Sequence, residues 1–406
     1  MKLLALTLTL LLATPLLAQT TQPLAPNKAH DSLAQLPHWP IGIRLSDDLA
    51  GERAAKNKNR RADILVWVPD TAKKIRAFMI CPENTDSKHF HEHAALRKVL
   101  TKHEVGIVYM AGFHTGIEYH HAKPVETPPA APDNVQKMLN IVAAETGIAE
   151  FKHAPFISFG KSSRGEFPFR LPWIMPERAI AGITYHGEAP TFPIPDWAKP
   201  QSEHTILYVC ANGQEEWDGT WYRHGRPFLL NYRHNTAWLP HQVIGTGVGH
   251  GNYVDGHGSK GWGQPVPEGT MSVLRIWDYL TVFTDKALTL RLPANTYATD
   301  APIKLNTIDE TTGYLVHPRA IEELLGSKYM ALRQKDGRYQ EIKWPDEKHP
   351  VVDDKQTGPL DPKLLIRKAT DVPENERKDY LWLADKELVQ AWLDIMNVTK
   401  KNITIP

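Results

Sequence analysis

Seven short apolar runs, separated by stretches with helical spacing, limit what this chain can build more than any other feature of the sequence. Arg61–Pro69, Ile75–Cys81, Gly106–Met110, Phe156–Phe159, Ala179–Tyr185, Thr205–Cys210 and Ala237–Ile244 each have the length and the β-branched or aromatic content of a strand. Asp86 or Ser87 can cap a helix running to about His103. Asp133–Gly147 places Val135, Met138, Leu139 and Val142 at helical spacing, and further helices are expected around Arg226–Tyr232 and over Met271–Leu288. Strands alternating with helices imply an α/β fold, with a mostly parallel sheet and helices on both faces.

The chain is most distinctive at Pro155-Phe-Ile-Ser-Phe-Gly-Lys-Ser162-Ser163-Arg-Gly165, where a buried strand collapses into small residues around a serine. A nucleophilic serine held clear of strand and helix needs such a sharp turn, and the crowded backbone demands a small residue two places before it. Gly160 meets that demand for Ser162, whereas Ser163 has Lys161 at the same position. Serine is unreactive at neutral pH without a base, and the base needs a carboxylate to orient it. His250, among the glycines of Gly245-Thr-Gly-Val-Gly-His-Gly after the last strand, is the candidate base. The acid is expected in the turn after Cys210, with Glu216 favoured and Glu215 and Asp218 as alternatives. Two donors must also face the developing oxyanion. One is the N–H of Ser163, and the other is expected around Glu83, Asn84 or Thr85, with Asn84 taken as the representative.

The order Ser162, acidic turn, His250 on alternating strands and helices resembles the α/β-hydrolase family. Phe-Gly-Lys-Ser-Ser-Arg-Gly-Glu-Phe167 is similar to the Trp-Gly-His-Ser-Ala-Gly-Gly elbow of exported bacterial serine esterases, and Pro176-Glu-Arg-Ala-Ile180 to the Pro-Glu-Arg-Val before their next strand. The spacing Gly160-x-Ser162-x-x-Gly165 also resembles the elbow of glucuronoyl esterases. The resemblance spans about residues 61–290 and implies an α/β-hydrolase fold and a carboxylic ester hydrolase. Two departures stand out. Arg164 replaces the usual glycine two places after the nucleophile, and Pro168 and Pro172 fall in the helix behind the elbow, where an interior proline costs about 3 kcal/mol unless a kink or a short helix accommodates it.

Forty-seven basic against 46 acidic residues leave a net charge of +1, which provides no electrostatic footprint for nucleic acid. Residues 1–18 combine one lysine, an apolar run and a small-residue end at Ala18, the pattern of a secretory signal, so the protein is expected to be secreted or periplasmic. That run is too short to span a membrane, which takes about 20 residues, and no later stretch qualifies. Residues 19–60 read as a lead-in, 61–290 as the hydrolase domain, and 291–406 as a C-terminal extension that packs on it or covers its active-site mouth, closing with an amphipathic helix over Trp382–Met396. Cys81 and Cys210 sit on strands that should not be neighbours, so both are expected as buried free thiols.

His89, His91 and His93 have the spacing of metal ligands but no supporting cysteine or carboxylate cluster, and they read as a solvated helix; no metal or cofactor is expected. Trp217, Trp221 and Trp262, near the proposed acid and base, together with Arg164, are the candidate substrate contacts, and tryptophan faces suit a carbohydrate-linked or aromatic ester. The alternative is a non-catalytic saccharide-binding protein, in which Arg164 and the prolines have spoiled the elbow.

Overall fold

The computed structural model describes residues 39–45, 49, 63–84, 87–111, 133–187, 194–213, 229–245, 273–325, 331–333, 339–341, 361–396, 403 and 405–406. Eight strands form the main sheet: β1 (Ile41–Arg44), β2 (Asp63–Trp67), β3 (Ala77–Pro82), β4 (Val105–Ala111), β5 (Phe156–Lys161), β6 (Ala179–Tyr185), β7 (Leu207–Gly213) and β8 (Leu239–Gly245). Their order is β1-β2-β4-β3-β5-β6-β7-β8, and β2 alone runs against the others. From β3 to β8 every strand residue is buried, as expected of parallel strands covered on both faces.

The crossovers explain the covering. β3 connects to β4 on one side through helices α1 (Ser87–Glu92) and α2 (Ala94–Lys102). The chain then returns across β3 through α3 (Asn134–Thr146) to β5, and continues the other way through α4 (Phe167–Ile174) to β6. Right-handed crossovers of opposite direction put their helices on opposite faces. After a short helix at residues 229–235 and strand β8, α5 (Val273–Arg291) comes back to pack against α2. The reversal leaves a crevice at the carboxyl ends of β3 and β5, where the exits of neighbouring strands diverge. This mostly parallel sheet, with helices on both faces and a serine turn at the exit of β5, is the α/β-hydrolase fold.

Four features differ from the sequence expectation. β1 forms inside the lead-in, by pairing with β2. The expected helix to His103 breaks at His93, whose ψ of 124° is extended, so two short helices replace one. His91 is fully buried, edge-on to Phe159 at 4.9 Å, whereas His89 is exposed. Finally, the chain from Trp382 enters the last helix only at Lys386, because residues Leu381–Leu383 form a strand.

That strand belongs to the C-terminal unit. β9 (Tyr314–Val316) precedes a hairpin of β10 (Ala331–Arg333) and β11 (Tyr339–Glu341). β9 also lies between β12 (Ile366–Lys368) and β13 (Leu381–Leu383) in a three-stranded sheet. The unit packs on β8 and α5 through β13 and the helix α6 (Lys386–Ile395). The Trp392 indole N–H donates to the Gln242 carbonyl of β8 at 2.7 Å, and Lys286 of α5 pairs with Asp385 at 2.7 Å. Cys81 and Cys210 are both buried and free. Among the described residues no helix is long and apolar enough to cross a membrane.

Two histidines are built into the core in their neutral form. His241 shares a 2.7 Å hydrogen bond with the Tyr279 hydroxyl, and His91 Nδ1 donates to the Ser87 carbonyl at 2.7 Å. Burial lowers their pKa values from 6.5 to about 3 and about 4 respectively. Below about pH 6.5 the unfolded chain therefore takes up protons that the folded one refuses. The stability is fully present above that pH and declines toward pH 4 and pH 3, by about 1.4 kcal/mol per pH unit per group. Urea unfolding midpoints should accordingly be lower at pH 5.0 than at pH 7.5, and His241→Gln should narrow that gap.

Candidate active site

The β5–α4 turn forms because its residues leave the backbone little choice. Ser162 has φ of +51°, in the left-handed region that L-residues avoid, and opens a single 3-10 turn over Ser162–Arg164. The Ser162 carbonyl accepts from the Gly165 N–H at 2.7 Å. The chain then folds back so tightly that a Cβ on Gly160 would lie 2.0 Å from the Arg164 carbonyl oxygen and 2.7 Å from Pro168 Cδ. Only glycine fits there, as the sequence pattern requires. Ser162 is half-buried at the crevice, and the left-handed residue is Ser162 rather than Ser163.

The prolines are accommodated without a broken helix. α4 is eight residues long and Pro168 lies in its first turn, where no N–H is required. Pro172 has no N–H to offer the carbonyl four residues back, which is that of Pro168. Ser158 of β5 fills the vacancy, donating from Oγ to that carbonyl at 2.9 Å. The sequence carried this signal: an interior helix proline always frees the carbonyl at i−4. At the start of the helix, Glu166 and Arg170 form a buried ion pair at 2.6 Å, one turn apart. Arg164, expected as a substrate contact, is 4% exposed and lies within the turn.

Around the turn, the Lys161 ammonium sits 5.3 Å from the centre of the Tyr185 ring, whose hydroxyl accepts from the Trp277 indole at 3.2 Å. Across the crevice, two of the three donors expected after β3 are already engaged. The Glu83 N–H donates to the Met110 carbonyl at 2.8 Å, and the Asn84 N–H to Ser87 Oγ at 3.1 Å. The Asn84 side chain instead reaches the elbow, where Nδ2 donates to the Lys161 carbonyl at 2.7 Å and to Ser163 Oγ at 3.3 Å. The structure thus brings Asn84, Ser162 and Ser163 together. Glu215, Glu216, Trp217, Asp218, Trp221, His250 and Trp262 lie outside the described residues, as do Thr85 and residues 1–18. Among the described residues no group of three or more His, Cys, Asp or Glu is placed to hold a metal ion.

No protein-family model matches the sequence, and no curated protein is detectably similar to it. Solved structures similar to this chain include an S-formylglutathione hydrolase from Staphylococcus aureus, at 11% identity and a TM-score of 0.36, covering 61% of this chain and 96% of that one. A dienelactone hydrolase-like promiscuous phosphotriesterase from metagenomic libraries matches at 12% identity and a TM-score of 0.39, covering 61% of this chain and 96% of that one. The Bacillus cereus carboxylesterase matches at 11% identity and a TM-score of 0.36, covering 58% of this chain and 100% of that one.

A left-handed serine is strained where glycine is not. Ser162→Gly should therefore be more stable than Ser162→Ala by about 1 kcal/mol in urea unfolding, and equal stabilities would mean an unstrained turn. Ser158→Ala leaves the buried Pro168 carbonyl without its donor, and calorimetry should register a loss of roughly 1–3 kcal/mol.

Proposed function

We propose that this chain is an exported serine hydrolase that cleaves carboxylic esters with Ser162 as nucleophile. The observation that carries the reading is the left-handed serine on a glycine-cleared turn, at the crevice where the exits of β3 and β5 diverge. Arg164 and the two prolines, which motivated the saccharide-binding alternative, coexist with an intact turn, and this favours catalysis. β7 and β8 end at Gly213 and Gly245, at the same carboxyl edge as Ser162, so the Glu216 and His250 of the proposed triad follow that edge closely in the chain.

In this mechanism His250 takes the proton from Ser162 Oγ as the oxygen attacks the ester carbonyl. Glu216 holds the imidazole in the required tautomer and stabilises the imidazolium. The oxyanion is met by the Ser163 N–H and by a donor from the loop after β3. The N–H groups of Glu83 and Asn84 are engaged there, which favours Thr85 for the second donor. Collapse of the tetrahedral intermediate expels the alcohol with the proton from His250. Water, activated by the same imidazole, then releases the acid. The mechanism calls for neither metal nor organic cofactor. Trp217, Trp221 and Trp262 are the proposed substrate contacts, suited to a carbohydrate-linked or aromatic ester, whereas the buried Arg164 is withdrawn from that set. The signal-like residues 1–18 support a secreted or periplasmic location.

Fluorophosphonate labelling of wild type beside Ser162→Ala, Ser163→Ala and His250→Ala tests this directly. Label should map to Ser162 and vanish in the Ser162 and His250 variants. Label on Ser163, or none on folded wild type, would sink the assignment, and absence of label would direct attention to saccharide binding.

A further inference from the structure

We infer that Asn84 is a positioning residue, whose carboxamide holds Ser162 in its left-handed conformation and aims the Ser163 N–H. The inference deepens the serine-hydrolase reading and rests on it. φ and ψ together set the angle between the peptide planes on either side of a Cα, so a strained left-handed residue persists only if both planes are held. The plane after Ser162 is tied by its own carbonyl, which accepts from the Gly165 N–H at 2.7 Å. The plane before it is tied by the Lys161 carbonyl, which accepts from Asn84 Nδ2 at 2.7 Å. The same Nδ2 donates its other proton to Ser163 Oγ at 3.3 Å, fixing the residue whose N–H is to face the oxyanion.

The orientation of the amide is dictated by its partners, since a carbonyl oxygen can only accept. Asn84 itself is anchored independently of the elbow. Its N–H donates to Ser87 Oγ at 3.1 Å, and that hydroxyl lies 3.2 Å from the Tyr109 hydroxyl in the core. Both ends of the link leave the carboxyl edges of adjacent parallel strands, β3 and β5, so the side chain spans the crevice where the chain's two winding directions part. Asn84 acts through Lys161 and Ser163.

The test compares wild type with Asn84→Ala and with Asn84→Asp, which keeps the shape but replaces the donor by an acceptor. Saturation kinetics of fluorophosphonate inactivation are recorded beside thermal unfolding. The limiting inactivation rate should fall about ten- to a hundredfold in both variants. The fluorophosphonate concentration for half that rate should stay within about twofold, and unfolding should remain cooperative. Folded variants that react at the wild-type rate would overturn the inference, and so would a fall confined to the half-saturating concentration. If neither variant folds, Asn84 is a structural residue of the whole domain and the inference is equally overturned. A wild type that does not label sinks the hydrolase reading and this inference together, whereas labelled wild type with unaffected variants sinks this inference alone.

Discussion

A serine held where L-residues do not choose to be is the constraint on which the rest of this structure depends. The left-handed conformation costs about 1–2 kcal/mol, and a turn between β5 and α4 with no further demands would relax out of it. Here it cannot, because the chain has been given no room and the carbonyls on either side of the serine are both held. Gly160 is absent of side chain where the Arg164 carbonyl passes, the Ser162 carbonyl closes a tight turn on Gly165, and the peptide before it is held from across the crevice. The turn then delivers the chain into a helix whose first turn is occupied by a buried Glu166–Arg170 pair. Removing one member of such a pair is far more damaging than the pair's net contribution, since the survivor is a buried uncompensated charge.

The sheet supplies the other half. Because β4 lies outside β3 and the chain must cross back to reach β5, the loops leaving β3 and β5 turn away from each other and leave their first residues face to face. Asn84 and the elbow meet for that reason, although 77 residues separate Asn84 from Lys161. Parallel strands make this possible, since all carboxyl ends from β3 to β8 arrive at one edge. The aromatic and neutral-histidine core beneath it, with Phe159 packed against both Phe90 and His91, keeps the strand that carries the turn from shifting.

Much of this was legible in the sequence because it depends on local pattern. Strands buried on both faces read as unbroken apolar runs, and Ala179–Tyr185 matches the observed strand end to end. Gly160 was legible through sterics alone. What escaped depends on partners distant in the chain. Ile41–Arg44 has no strand signal of its own beyond two isoleucines, and becomes one by pairing with Asp63–Trp67. His93 carries no breaker residue, yet the helix stops there, with its ring edge-on to Trp277 at 5.8 Å. The three-residue strands of the C-terminal unit are too short for periodicity to register. At the site, the carboxamide of Asn84 was invisible as a brace, because nothing local distinguishes an amide that reaches across a crevice from one that points to water.

Beyond residue 291 the C-terminal elements pack back on the main sheet. β8 ends the sheet, and an end strand with open carbonyls and N–H groups invites another chain to add itself. In this molecule the last elements of the chain occupy that flank, with Trp392 on the Gln242 carbonyl and Asp385 on Lys286. The C-terminal unit therefore acts as a guard on the sheet's exposed border. A chain ending at residue 291 would keep every element of the elbow and lose its protection against self-association.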